Sequence, residues 1–383
     1  MISLKKIEFN NCTLNIKLLR TVFLLLITIF ISFFESNSIW VENYYYPTFY
    51  PLIATTQRML FGWIPFSIGD IIYLCITIYL LYKLYSFILN CVQKRYNLLA
   101  LKYYAHQFIN YLLIIFICFK LLWGLNYSRQ GINHQLQITK EKYNKEDIIL
   151  FINKLIVDAN FYRKQIKDTS LPKINFKDVV KETKAAYSVA VKQFSFLKIN
   201  TFSLKQNLYS TAGNYLGYAG YYNPFTGEAQ VRTDIPSILI PSIACHEVAH
   251  QLGYASEDEA NFIAYLITNT STNIYFKYSI TLELMDYAFK DLMIKYLQDD
   301  DYKNYRFTKF QLADCCSNQV KKDRKEIKYF FLKNNKDISN ISSSVYDQYL
   351  KLNKEKNGID TYANVVELIL NYENGRRNKS ESQ

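Results

Sequence analysis

The sequence predicts an α+β protein, a mostly helical domain with a small β-sheet, preceded by three transmembrane helices. Three observations carry this. The first third of the 383 residues holds three long apolar runs. Most of the remainder places apolar residues at helical spacing. One stretch, 208–233, is rich in Tyr and Gly instead and reads as β-prone.

The apolar runs are 18–34, 68–89 and 108–125. Each is about as long as a helix must be to cross ~30 Å of hydrocarbon. Lys5, Lys6, Lys17 and Arg20 lie before or at the start of the first run, as in a signal peptide, but no A-x-A-like cleavage site follows it. The run therefore reads as an uncleaved anchor. Asp70 and Lys83 fall toward the ends of the second run, where interfacial placement is expected. Trp123 stands at an interfacial position of the third. Residues 1–127 thus form a membrane domain and 128–383 a second domain, large enough to bury its own core.

Flanking cations set the orientation. The N-terminal segment is basic, and the loop between the second and third runs carries Lys94, Arg95 and Lys102. The loop between the first and second runs has Arg58 as its one cation, with Glu35 and Glu42 at hand. The positive-inside rule puts the N-terminus in the cytoplasm. After three crossings, residues beyond 127 lie outside the cytoplasmic (inner) membrane, in the periplasm or extracellular space. The net charge of +12 is spread over scattered lysines with no dense block. That argues for a solvated surface and contact with membrane lipid, and against nucleic acid as a partner. Seven cysteines without regular spacing give neither a disulfide framework nor a CxxC zinc signature.

Beyond 127, helices are expected over 144–166, 176–197, 276–298, 309–335 and 360–373. Asn223-Pro224-Phe225-Thr226-Gly227 separates two β-prone stretches and predicts a hairpin with a longer loop. From about Ser237 the pattern turns helical again.

On that helix lie His246 and His250, two of only four histidines. Residues i and i+4 share a helix face, so both imidazoles can reach one ion. Glu247 sits one step round, where it can act as general base on a water held there. The flanks are apolar, so a bound zinc would satisfy groups that are otherwise costly to bury. Cys245 faces away and reads as core. A third protein ligand is expected. Gly253 is a natural helix stop, and Ser256 reads as the N-cap of the next helix, with Glu259 completing a capping box. Glu257 has no such role and is the preferred third ligand. An antiparallel helix hairpin would instead bring Glu259 level with His250, so Glu259 stays open as the alternative. Asn261, one turn beyond Glu257, is placed to orient a ligand.

His246 to His250 followed by Glu257-Asp258-Glu259-Ala260-Asn261 resembles the HExxH…ExxA(D/N) arrangement of gluzincin-type metallopeptidases. In those families the first Glu of the second motif is the ligand. The gap here is shorter than in thermolysin-like enzymes. Gly253 is similar to the metzincin turn, but Ser256 stands where that family has its third histidine. The longer pattern also resembles a bacterial membrane-protein family of unknown function. It runs through 123–127, 221–229, 245–261 and 358–362, and so covers most of the chain.

The resemblance implies a zincin-like metallopeptidase domain that holds zinc and hydrolyses peptide or related amide bonds in a peptide or protein substrate. The strand before a zincin active-site helix often pairs with extended substrate. Glu228, Ala229, Gln230 and Val231 occupy that position, though an ordinary edge strand with Glu228 as a surface acid reads equally well. Tyr362 is a candidate oxyanion stabiliser only because the resemblance covers it. The rival expectation is a non-catalytic sensor or scaffold that keeps zinc for structure.

Overall fold

The computed structural model describes residues 11–167, 173–334, 348 and 362–381. Its first third contains α1 (Asn11–Glu35), α2 (Tyr50–Phe61), α3 (Ile68–Val92) and α4 (Leu98–Leu122). Three helices are long and apolar enough to cross a membrane, at Leu18–Glu35, Ile68–Val92 and Ala100–Leu122. The first two match the expected runs within a few residues. The third starts earlier and stops sooner than 108–125. Asn97 caps it by accepting from the Ala100 amide at 2.9 Å, and the polar residues that follow stay helical. At the other end Trp123 leaves the helix with φ −160°, and Gly124–Ser128 forms a 3-10 turn.

One end of this group meets the rest of the molecule. Lys120 of α4 pairs with Glu35 of α1 at 2.8 Å, both largely buried. Arg129, just past α4, holds Glu42, just past α1, through two nitrogens at 3.1 Å each. The chain leaving α1, the chain entering α3 and the chain leaving α4 therefore lie on the same side.

Packing runs across the boundary expected at 127. Ile31, Tyr45, Tyr50, Ile117 and Trp123 share one buried cluster with Tyr222 and Ala255. Asp70, expected at an interface, stands in the first turn of α3. It is fully buried, accepts from the Leu208 amide at 2.7 Å and takes the Tyr221 hydroxyl. The first turn of α3 is embedded in the larger domain, where the sheet region supplies the donors a buried carboxylate requires.

Beyond 127 follow α5 (Lys145–Gln165), α6 (Phe176–Ala190), β1 (Leu204–Gln206), β2 (Gly220–Asn223), β3 (Glu228–Val231), α7 (Ile240–Gln251), α8 (Glu257–Thr270), α9 (Ile274–Gln298), α10 (Tyr302–Asp314), α11 (Asn318–Asn334) and α12 (Tyr362–Glu381). The domain is mostly helical with a small sheet, as its sequence predicts. α9 is the central pillar, packed on α5, α7, α8 and α12.

The expected helix 309–335 is broken. The side-chain amide of Asn160 in α5 donates to the Cys315 carbonyl at 3.0 Å and accepts from the Ser317 amide at 2.8 Å. It thereby satisfies the backbone groups freed by the break. The expected 176–197 helix stops at Ala190, and 195–197 is a 3-10 turn.

The sheet has the order β1-β3-β2 among the described residues. β2 and β3 are antiparallel and form the predicted hairpin, with Tyr222 opposite Ala229. Asn223 Oδ1 accepts from the Phe225 and Thr226 amides, and Gly227 takes φ +70° to close the loop. β1 pairs parallel with β3, Leu204 opposite Ala229.

Candidate metal centre

The site is built at the C-terminal end of α7. Its start is set by Pro241 in the first turn. Its end is set by Gly253, which adopts φ +83°. The Gly253 amide donates to the His250 carbonyl at 3.1 Å and the Tyr254 amide to the Ala249 carbonyl at 3.3 Å, the paired bonds of a Schellman cap. This cap turns the chain back so that the Tyr254 carbonyl accepts from His250 Nδ1 at 2.6 Å. Four residues on, α8 begins and packs against α7.

Three side chains converge between the two helices. His246 Nε2 and His250 Nε2 are 3.1 Å apart. Glu257 puts one oxygen 3.2 Å from His246 Nε2 and the other 3.8 Å from His250 Nε2. One ligand atom from each of the three lies within 4.8 Å of the others. The outer ring nitrogens are both engaged, His246 Nδ1 with Asn261 Oδ1 at 2.7 Å and His250 Nδ1 with the Tyr254 carbonyl. Those oxygens can only accept, so each Nδ1 carries a proton, and in the neutral form of each ring Nε2 presents a lone pair. Two such lone pairs and a carboxylate facing one another form a group that could hold a metal ion. Two imidazoles and one carboxylate are a donor set that suits zinc.

A proton on His246 would meet the Glu257 carboxylate in place of a cation. Burial opposes a charge on His246, but the hydrogen bond and charge of Glu257 outweigh it and push the imidazole up to about 9. Burial and the neighbouring His246 push His250 down to about 4. Glu247 is buried beside them, and burial pushes its carboxyl up to about 8, opposed by His246 and reinforced by Glu257 and Glu283. Its Oε2 has no hydrogen-bond partner among the described residues.

Glu259, the alternative ligand, is not in this group, and the capping box expected of it does not form. Its carboxylate accepts from the Ile132 amide at 2.6 Å, because the turn at Gly131 presses against it. Ser256 does stand at the N-cap in extended backbone, but its hydroxyl turns to Asp258, which accepts from the Glu259 amide at 2.8 Å. Cys245 is buried core, as expected.

The strand offered for substrate pairing is corrected. Glu228, Ala229, Gln230 and Val231 are all fully buried, and β3 is the central strand, with neighbours on both sides. Its backbone groups are already used. Glu228 is no surface acid. It accepts from the Ile68 and Gly69 amides at 3.2 and 2.7 Å and pairs with the buried Lys205, so it caps α3. The strand that borders the site is β2. A Cβ added at Gly220 would lie 2.6 Å from Glu247 Oε1, and among the described residues β2 has a neighbouring strand on one side only. Tyr362 opens α12, but its side chain lies outside the described residues.

Several contributors were not legible beforehand. Trp123 Nε1 donates to the His250 carbonyl at 3.1 Å. The Tyr50 hydroxyl reaches the same carbonyl at 3.2 Å and that of Gln251 at 2.9 Å. Arg58 Nη1 donates to Gln251 O at 3.2 Å. All three come from the part assigned to the membrane. The one available signal was the run of residues 123–127 immediately after an apolar stretch.

Residues 45–370 match the family model described as Protein of unknown function (DUF3810). The chain belongs to that family. The match takes in residues 45–67 of the segment between the first two apolar helices, the sheet and the whole histidine–glutamate cluster. No curated protein and no solved structure matches the chain.

Proposed function

We propose that the chain is a membrane-anchored, zinc-dependent peptidase of zincin type, hydrolysing peptide or related amide bonds. The observation that carries this reading is the pair of imidazole nitrogens, 3.1 Å apart and both closed by Glu257, with both outer nitrogens tied to acceptors. Zinc bound by His246, His250 and Glu257 supplies Lewis acidity to a water and to a peptide carbonyl.

The remaining work falls to the chain's own residues. Glu247 is buried beside the donor set with an oxygen to spare, and its raised pKa suits a base working near neutrality. It takes the proton of the attacking water and delivers it to the leaving amine. Asn261 and the Tyr254 carbonyl fix the two rings. The free side of β2 offers main-chain groups to an extended substrate, and Gly220 leaves room for Glu247. The lysine and arginine bias supports a domain outside the cytoplasmic membrane, with the N-terminus inside.

The test uses the full-length protein in detergent, because Tyr50, Arg58 and Trp123 belong to the site. About one zinc per chain is expected, lost in His246→Ala, His250→Ala and Glu257→Gln, and retained in Glu259→Gln. Glu247→Gln is expected to keep zinc and abolish hydrolysis. A scaffold that keeps zinc for structure would show wild-type behaviour for Glu247→Gln in every hydrolytic and cellular assay. Wild-type protein that folds without metal in zinc-containing buffer would remove the reading altogether.

A further inference from the structure

α2 is amphipathic the wrong way round for a surface helix in water. The side it turns to the domain carries Tyr50, Ala54, Gln57 and Arg58, all buried, two of them polar. Gln57 donates to the Pro224 carbonyl at 2.9 Å and Arg58 to Thr201 Oγ1 at 2.9 Å. The outward side carries Leu52, Met59 and Leu60, with Phe49 before it and Trp63 and Phe66 after it, all exposed, Trp63 by 77 %. Leu52 and Met59 are seven residues apart, so they share a face. Thr56, also exposed, is the polar residue between them, and its hydroxyl donates to the Leu52 carbonyl at 2.8 Å. A cluster of exposed large apolar side chains of this kind marks an interaction surface. Its two neighbours in the chain identify the occupant. The segment leaves one apolar helix at Glu35 and enters the next at Ile68, and both ends sit on the same side. A stretch tethered at each end to a membrane crossing lies along the bilayer surface.

The metal centre is tied to the same level. Leu122 is the last residue of the third span. The indole of the next residue, Trp123, meets the His250 ring edge-on with centroids 5.9 Å apart. The His250 ring therefore packs on the residue that directly follows that span.

We propose that the outward face of residues 49–66 is seated in the lipid headgroup and acyl boundary. The metal centre is thereby held at the bilayer surface, and its substrates are polypeptides kept at that surface by their own anchor, cleaved close to it. The substrate class rests on the peptidase reading; the lipid seat does not.

The chain has three tryptophans, at 40, 63 and 123, which makes the seat measurable. The full-length protein is reconstituted into phosphatidylcholine vesicles whose acyl chains carry bromine at a shallow position. Brominated lipid should quench its emission, and Trp63→Phe should remove half or more of the quenchable signal. Trp40→Phe should leave most of it. Quenching unchanged by Trp63→Phe, or Trp63 emission quenched by aqueous acrylamide and not by lipid, overturns the seat; a second copy of the chain covering this face would give the first result.

For the substrate class, one tryptic peptide pool is offered free and, in parallel, coupled to a C-terminal lipid in the same vesicles, to zinc-loaded wild type and Glu247→Gln. The anchored pool should be cut at least tenfold faster, near the anchor, by wild type only. Equal rates overturn the surface-held substrate and leave the peptidase reading intact. No cleavage of either pool removes both, while the quenching result still decides the seat.

Discussion

The indole nitrogen of Trp123 and the carbonyl of His250 are joined by a 3.1 Å hydrogen bond, so the residue that closes α4 grips the end of the helix carrying the two histidines. Tyr50, from the other membrane-flanking segment, reaches the same carbonyl. Trp123→Phe keeps the ring and removes the donor. With Tyr50 still in place it should cost about 1 kcal/mol of stability. Trp123→Ala empties a buried aromatic site and should cost about 3–5 kcal/mol, with visibly lower zinc retention. Denaturation of the full-length protein in detergent, with metal content measured alongside, separates the two.

Asn261 touches no expected ligand atom directly; it holds the far nitrogen of His246. Asn261→Ala should leave the fold intact and weaken zinc binding about 10–100-fold, the usual cost of losing such a partner. Asn261→Asp keeps an acceptor in place and should bind more tightly than the alanine variant. Competition against a chelator of known affinity gives the order, and equal affinities for all three proteins would remove the orienting role.

Gly220 is the close approach between β2 and Glu247. A Cβ there would sit 2.6 Å from Glu247 Oε1 and 2.7 Å from the Gln230 carbonyl, and the strand carbonyl cannot retreat. Gly220→Ala should therefore displace the Glu247 carboxylate, cutting hydrolysis by an order of magnitude or more while zinc stays bound. Loss of metal in this variant would show that the strand supports the ligands and not the base.

A carboxylate far from the metal gives a pH signature. Asp291 in α9 is fully buried, accepts from the Tyr143 hydroxyl at 3.0 Å through Oδ2, and has no partner for Oδ1 among the described residues. Burial pushes its pKa up to about 6, against the Tyr143 hydrogen bond and Lys295, which lower it. The folded state then binds more protons than the unfolded chain between its ordinary value of 3.8 and 6. Stability should fall as pH rises through that window. Asp291→Asn should flatten the decline and be more stable at neutral pH by on the order of 2 kcal/mol, with the advantage vanishing near pH 4. Unfolding midpoints measured across pH 4–7 test the sign.

What the sequence made legible was local. Apolar run length announced the three long helices, the four-residue spacing brought His246 and His250 to one face, and Asn223 to Gly227 marked the hairpin loop. The Glu257 position followed from the next helix start. What stayed hidden depends on partners far along the chain. Glu228 reads as a surface acid until the amides of Ile68 and Gly69 are seen to meet it. β3 reads as an edge until three residues, Leu204–Gln206, pair along its other side. Glu259 reads as a cap until the turn at Gly131 offers it the Ile132 amide. The outward apolar face of α2 is too short and too mixed in sequence to stand out from an ordinary loop.

The grip of Glu228 on the start of α3 has a consequence for biogenesis. The Gly69 amide and its acceptor are separated by 159 positions, so the ribosome delivers the second span long before the group that anchors it. During synthesis that helix has only the Ser67 hydroxyl, bonded to the Asp70 amide at 3.0 Å, to steady its first turn. Its final seat is set when the sheet forms, a late, long-range closure. A chain truncated ahead of residue 228 would lack the carboxylate that meets the Ile68 and Gly69 amides, leaving Leu208 and Tyr221 on Asp70 as contacts of that turn with the later chain.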